Sequence, residues 1–179
     1  MNHLNKLYRK EVRRKMSRLA TKAAESEFYR ARMEASAAND SYKSREGAAE
    51  VIGMDRTRLA RIELGTVFPY PEEVVMMADA YNAPELMNHY CSSVCPIGRR
   101  IVPHAELNQL DRMTIRIMNA LDGVQGMGQA MRELADDGDI APEEVPRLKE
   151  IYRSLHKVAT VTAEMQIWME KYAKGEKKP

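Results

Sequence analysis

The chain has 179 residues, of which 44% are hydrophobic and 30% charged, and its formal net charge is +2. That length allows one core or two small ones, and that composition describes a soluble globular protein. No apolar run approaches the ~20 residues of a membrane span. The basic N-terminus lacks the apolar region of a secretory signal, and the two cysteines suit a reducing cytoplasm better than a disulfide scaffold.

In chain order, residues 1–22 come first. Lys6, Arg9, Lys10, Arg13, Arg14, Lys15, Arg18 and Lys22 stand there against Glu11 alone, a local charge of +7. Such an arm suits phosphate, although a solvated leader has the same composition. Residues 3–37 contain no Gly or Pro and read as one or two helices. "ANDSYKS" (38–44) is a loop whose last residue, Ser44, suits an N-cap. A short helix over 45–52 is stopped by Gly53, and Asp55 caps a second over 56–64, stopped by Gly65. Pro71 opens a helix through Ala80, and Pro84 opens another to about Cys91. "CPIGRRIVP" (95–103) is rich in helix breakers. It divides a domain at 23–95 from the C-terminal part at 104–179, with 96–103 as linker.

Beyond the linker the apolar pattern lengthens. Leu107, Leu110, Thr114, Ile117, Leu121, Val124, Gly128, Met131 and Ala135 fall at alternating three- and four-residue steps. So do Leu148, Ile151, Leu155, Val158, Thr162, Met165, Met169 and Tyr172. With "DDGDIAPEE" as a turn, they form a long antiparallel αα-hairpin. A lone hairpin is short of core, so it should pack on a second copy, on the first domain, or on both.

Residues 53–65, "GMDRTRLARIELG", hold the chemistry. On a helical wheel Leu59 and Ile62 share one side; Thr57, Ala60, Arg61 and Leu64 lie opposite, with Arg56 at the edge. Ala48, Ala49 and Ile52 form the apolar face of the preceding helix, and Gly53 permits a steep turn. This is the pattern of a helix-turn-helix.

"SREGAAEVIGMDRTRLARIELG" with the trailing "PYPEEVVMMADAYNAP" resembles the lambda-repressor-like, xenobiotic-response-element type of helix-turn-helix protein. The likeness covers roughly residues 24–90 and rests on Ser44, Ala49, Gly53, Met54, Glu63 and Gly65 at fixed spacing. The resemblance implies a DNA-binding domain in which helix 56–64 enters the major groove and Arg56, Thr57, Ala60 and Arg61 face base edges. Arginine binds guanine bidentately, and Thr57 suits thymine or adenine. Arg45 and Arg58 would hold phosphates, with Lys43 and Thr66 as weaker phosphate contacts. Glu63 would pair internally with an arginine of the first helix, Arg32 ahead of Arg30, fixing geometry more than adding stability.

Other constellations are weaker. His89, Cys91 and Cys95, with His104 further on, are a weak zinc candidate, because their spacing is not that of a finger; structural thiols are the preferred reading. "ELADDGDIAPEE" lacks the oxygen ligands of a calcium loop, Ala135 standing where one is needed. Trp168 with Met113, Met118, Met127, Met131, Met165 and Met169 could line an effector pocket but suits plain core better. No nucleophile–base pair or phosphate-binding loop appears, so no enzyme and no cofactor are expected. The expectation is an all-α, cytoplasmic, sequence-specific DNA-binding transcriptional regulator, a homodimeric repressor with double-stranded DNA as partner and no membrane contact. The alternative is a protein–protein adaptor or antitoxin-like protein whose hairpin binds a protein partner.

Overall fold

The structure, a computed structural model, describes residues 24–135 and 139–172, and among them every regular element is helical. The basic arm at 1–22 and the middle of the turn between the hairpin arms lie outside the described residues. The chain divides into two compact units, residues 1–90 and 91–179. The division precedes the boundary read from Pro96 and the glycine-arginine segment. Residues 85–94 run on as helix, and the segment read as linker carries a short helix of its own, Gly98–Ile101.

The first unit contains α1 (Glu27–Ala35), a 3₁₀ turn (Asp40–Lys43), α2 (Arg45–Ile52), α3 (Arg56–Glu63), α4 (Pro71–Tyr81) and α5 (Glu85–His89). Local chemistry sets its boundaries. Ser44 caps α2 by accepting from Gly47 N at 3.0 Å, and Asp55 caps α3 by accepting from Arg58 N at 2.8 Å; each such cap is worth about 1 kcal/mol. Between them Gly53 takes φ +76°, a left-handed conformation that an L side chain adopts only with strain. Gly47 is small for a different reason. A Cβ there would stand 2.4 Å from the Ser41 carbonyl oxygen, so its hydrogen lets the 3₁₀ turn lie against α2.

The core of this unit is assembled from one face of each helix. Ala48, Leu59, Ile62, Val74, Met77 and Leu86 are all but inaccessible to solvent. Small Ala48 and Ala49 on α2 let α3 approach closely, and Leu59 and Ile62 fasten it down. Each buried leucine or isoleucine stabilises by about 1.5–3 kcal/mol. Tyr42 fixes the 3₁₀ turn to α4: its hydroxyl donates to Ala80 O at 2.8 Å and its ring meets Tyr81 edge-on.

The second unit continues from α5 through a π turn (Tyr90–Val94) into α6 (Gly98–Ile101), α7 (Leu110–Asp122), α8 (Met127–Leu134) and the 28-residue α9 (Val145–Tyr172). Two ion pairs join the arms: Arg116 to Glu164 at 2.7 Å and Arg147 to Glu133 at 2.5 Å. They lie 17 residues apart on each arm and in opposite chain order, so α7 and α8 together run antiparallel to α9. The first arm breaks at residues 123–126, where Gly126 has φ +75°.

The buried side coincides only in part with the seam read off the sequence, Ile151 belonging to both. Met113 and Ala120 are buried on α7, and Ile151, Val161, Glu164 and Ile167 on α9. From the expected seam, Leu110, Leu121, Leu155, Met165, Met169 and Tyr172 are instead about half exposed. One position before the expected seam stand apolar Met113 and Ala120 on α7, but Glu150, Lys157 and Glu164 on α9, so apolar content alone does not set which of the two positions turns inward. The Arg116–Glu164 pair goes with the earlier of the two.

Candidate nucleic-acid interface

α2, the Gly53 turn and α3 present α3 to solvent along one face. Leu59 and Ile62 point into the core, Arg56, Thr57 and Arg61 are exposed, and Ala60 is half-buried. Ala60 leaves a shallow strip between longer neighbours, which permits a groove edge to approach. The exposed side chains are two guanidinium groups and one hydroxyl, a donor-rich set suited to guanine O6 and N7 or to phosphate oxygens.

The orientation of this face is held from below by a buried charge cluster. Glu63 is fully buried and accepts from Arg32 Nε at 2.6 Å, Arg32 Nη2 at 3.2 Å and Arg45 Nε at 2.6 Å. Arg32 also donates through Nη1 to the Tyr42 carbonyl at 2.7 Å and the Lys43 carbonyl at 3.4 Å. The segment between α1 and α2 is therefore a folded 3₁₀ turn that supplies two acceptors to Arg32. Burial works against the Arg32 charge, but the hydrogen bond to Glu63 and its negative charge outweigh it, so the guanidinium pKa is raised. One side chain thereby ties α1, the 3₁₀ turn and α3 together. Arg30, the second choice for this pairing, is exposed and pairs with Glu27 on its own helix.

The expected phosphate contacts fall into different environments. Arg45 opens α2 and is 31% exposed, so it reaches solvent while its Nε holds Glu63. Lys43 is exposed and pairs with Asp40 at 2.7 Å. Thr66 is exposed, and its hydroxyl donates to the Arg61 carbonyl at 3.0 Å.

Arg58 is engaged inside the domain instead. It binds Glu73 through two contacts of 2.8 Å, donates to Phe68 O at 3.1 Å, and lies over the Tyr70 ring at 4.7 Å from its centroid. Glu73 also accepts from Tyr70 N at 2.6 Å, closing the first turn of α4. The Arg58 hydrogen bond, opposed by burial, lowers the Glu73 pKa. A phosphate contact would have to compete with this bidentate pair, so the placement does not favour the phosphate role expected of Arg58.

Arg56 pairs with Glu46 of α2 at 2.6 Å, both side chains about 60% exposed. An exposed pair of this sort is worth about 1 kcal/mol or less, so Arg56 can exchange Glu46 for another acceptor at small cost. Arg61 reaches solvent from the last turn of α3.

Glu73, Tyr70 and Glu46 do not stand out in the sequence. The acidic residue three positions after Tyr70, ahead of an apolar run, is the available signal for Glu73. Of the zinc candidates, His89 packs edge-on against Phe28, and Cys95 Sγ accepts from Gly98 N at 3.4 Å. Among the described residues, no three His, Cys, Asp or Glu side chains stand close enough to hold a metal ion.

Comparison with curated proteins and with solved structures gives no match. Comparison with family models gives one: residues 12–89 match the model described as a helix-turn-helix domain. The match begins within the segment read as a basic arm and ends with α5. Residues 12–89 are thus similar to a helix-turn-helix domain, and every regular element described within them is helical.

Proposed function

We propose that the chain is a sequence-specific DNA-binding regulator of transcription, a cytoplasmic repressor that occupies an operator without catalysing a reaction on it. The observation that carries this reading is the outward face of α3. Arg56, Thr57 and Arg61 are presented around the small Ala60, while Leu59, Ile62 and the Glu63 cluster fix the opposite side. In this reading Arg56 and Arg61 read bases, Thr57 and Ala60 shape the contact, and Arg45, Lys43 and Thr66 hold phosphates. Arg58 positions the loop between α3 and α4. Two copies would match an operator with two-fold symmetry.

The test is selection of bound DNA from a random pool, followed by binding of variants to the selected site. Arg56→Ala and Arg61→Ala should each lower discrimination at a single base position by about 1–3 kcal/mol. Wild-type affinity should fall steeply with salt as counterions are released. If both variants bind the selected site as wild type does, the assignment of α3 to base reading is wrong.

A further inference from the structure

The hairpin leaves one face uncovered, and its composition points to an occupant. Thr114, Met118 and Leu121 on α7 each follow directly on Met113, Ile117 and Ala120, residues of the inward side. On α9, Leu155, Thr162, Met165 and Met169 follow Ser154, Val161, Glu164 and Trp168 in the same way. One residue is a turn of about 100° about a helix axis. The second stripe therefore lies clockwise of the buried seam on both arms, each seen from its own N-terminus. Because the arms are antiparallel, the same sense of offset brings both stripes to one side of the hairpin. Leu110 and Tyr172 extend this surface at the end where α7 starts and α9 finishes.

We propose that this surface is where two copies of the chain associate, hairpin on hairpin, as a four-helix layer. The proposal deepens the two-copy part of the reading above and does not depend on DNA recognition by α3. Three observations support a second copy as occupant. First, no charged residue lies within the stripe, so it selects no sign of charge, and an uncharged apolar strip is complementary to itself as an isologous contact requires. Second, its two threonine hydroxyls are already satisfied: that of Thr114 donates to Leu110 O at 2.8 Å and that of Thr162 to Val158 O at 2.8 Å. Burying them leaves no orphaned hydroxyl, and their methyl groups remain for packing. Third, the size is right. The large side chains are 45–60% exposed, so that covering them completely would bury roughly 800 Å² on one copy and about 1,600 Å² across a pair, an upper limit that reaches the size of a specific interface.

The experiment is sedimentation equilibrium of the full chain at micromolar concentration, beside Leu121→Glu, Met165→Glu, and Ile115→Glu as control. Ile115 is 60% exposed on the same helix but one residue past the stripe, about 200° from the buried seam. All three sites are solvent-exposed, and far-UV circular dichroism verifies that each variant keeps its helix content. The wild type and Ile115→Glu should be dimers, and each stripe variant should dissociate at least tenfold more readily. A monomeric wild type would overturn the proposal, including one that acquires mass only on adding a different protein. So would stripe variants that dimerise like wild type, or an Ile115→Glu chain as dissociated as they are. Failure of the α3 variants to alter DNA recognition would leave these masses unchanged, so the two readings fail separately.

Discussion

Glu63→Gln tests whether the charge cluster beneath α3 is a structural clamp. The substitution keeps the shape of the side chain but removes its charge and replaces one acceptor with a donor. In the folded protein Glu63 receives three N–H groups from two guanidinium groups, and Arg32 is only 3% exposed. A side-chain amide cannot accept from both arginines on both sides, so at least one guanidinium N–H faces an amide N–H. Arg32 then keeps the amide oxygen and the Tyr42 and Lys43 carbonyls as acceptors but loses the negative charge that offset its burial. Removing one partner of a buried pair costs about 3–5 kcal/mol, a large part of the roughly 5–15 kcal/mol that holds a typical domain folded. Arg45 adds little to the loss, because at 31% exposure it can turn to water. Urea unfolding of the full chain, followed by far-UV circular dichroism, should show a transition moved to lower denaturant by that amount. Arg32→Met with Glu63→Leu, which removes charge from both sides of the buried contact, should recover most of the loss. If Glu63→Gln stays within about 0.5 kcal/mol of wild type, or if the double variant is the less stable, the cluster does not hold the domain as argued.

The surrounding geometry makes other outcomes testable. Arg58→Ala and Glu73→Gln should both weaken DNA binding by loosening the loop between α3 and α4 while leaving the slope of log affinity against log salt unchanged; loss of a phosphate contact would lower that slope by about 0.9. The lowered Glu73 pKa means that its contribution to stability is present above the unfolded carboxylate pKa and is lost as pH falls through the lower folded value, so Glu73→Gln should flatten the acid limb of stability against pH. Tyr81→Phe should be neutral or stabilising, because the buried Tyr81 hydroxyl makes no hydrogen bond in the structure; Tyr42→Phe, which loses the bond to Ala80 O, should cost about 1 kcal/mol in the same urea titration. Gly47→Ala should destabilise by about 1–3 kcal/mol, since the new methyl meets the Ser41 carbonyl and backbone must move; an unchanged midpoint would contradict that close approach.

The helix-turn-helix was legible because its signals are local. Ser44, Gly53, Asp55 and Pro71 act within a few residues of themselves, and each sits at the boundary read for it. The proximity of Arg32 and Glu63 came from the resemblance, since 31 residues separate them and no spacing rule links them. The Arg58–Glu73 pair had no such guide. An arginine on an outward-looking helix reads as available for phosphate until the chain folds a carboxylate from α4 beside it. In the hairpin, periodicity gave the helices, but it does not choose which side of each is buried. That choice depends on what each arm meets across the gap, and Glu164, which an apolar count overlooks, lies on the seam that was buried.

The break at 123–126 has a consequence for the length of the chain. Although α7 and α8 are separated by four non-helical residues, the two ion pairs keep equal spacing along the broken arm and the continuous one. The joint thus keeps the residue register between the arms while i→i−3 bonds from Val124, Gln125 and Met127 replace the α-helical ones. It looks like a surface turn, where insertions are ordinarily harmless, yet it has no slack. One residue added or deleted there would rotate α8 by about 100°, carrying Leu134 out of the core and Glu133 away from Arg147. In this protein a loop-like point within one arm of the hairpin is a place where chain length is fixed.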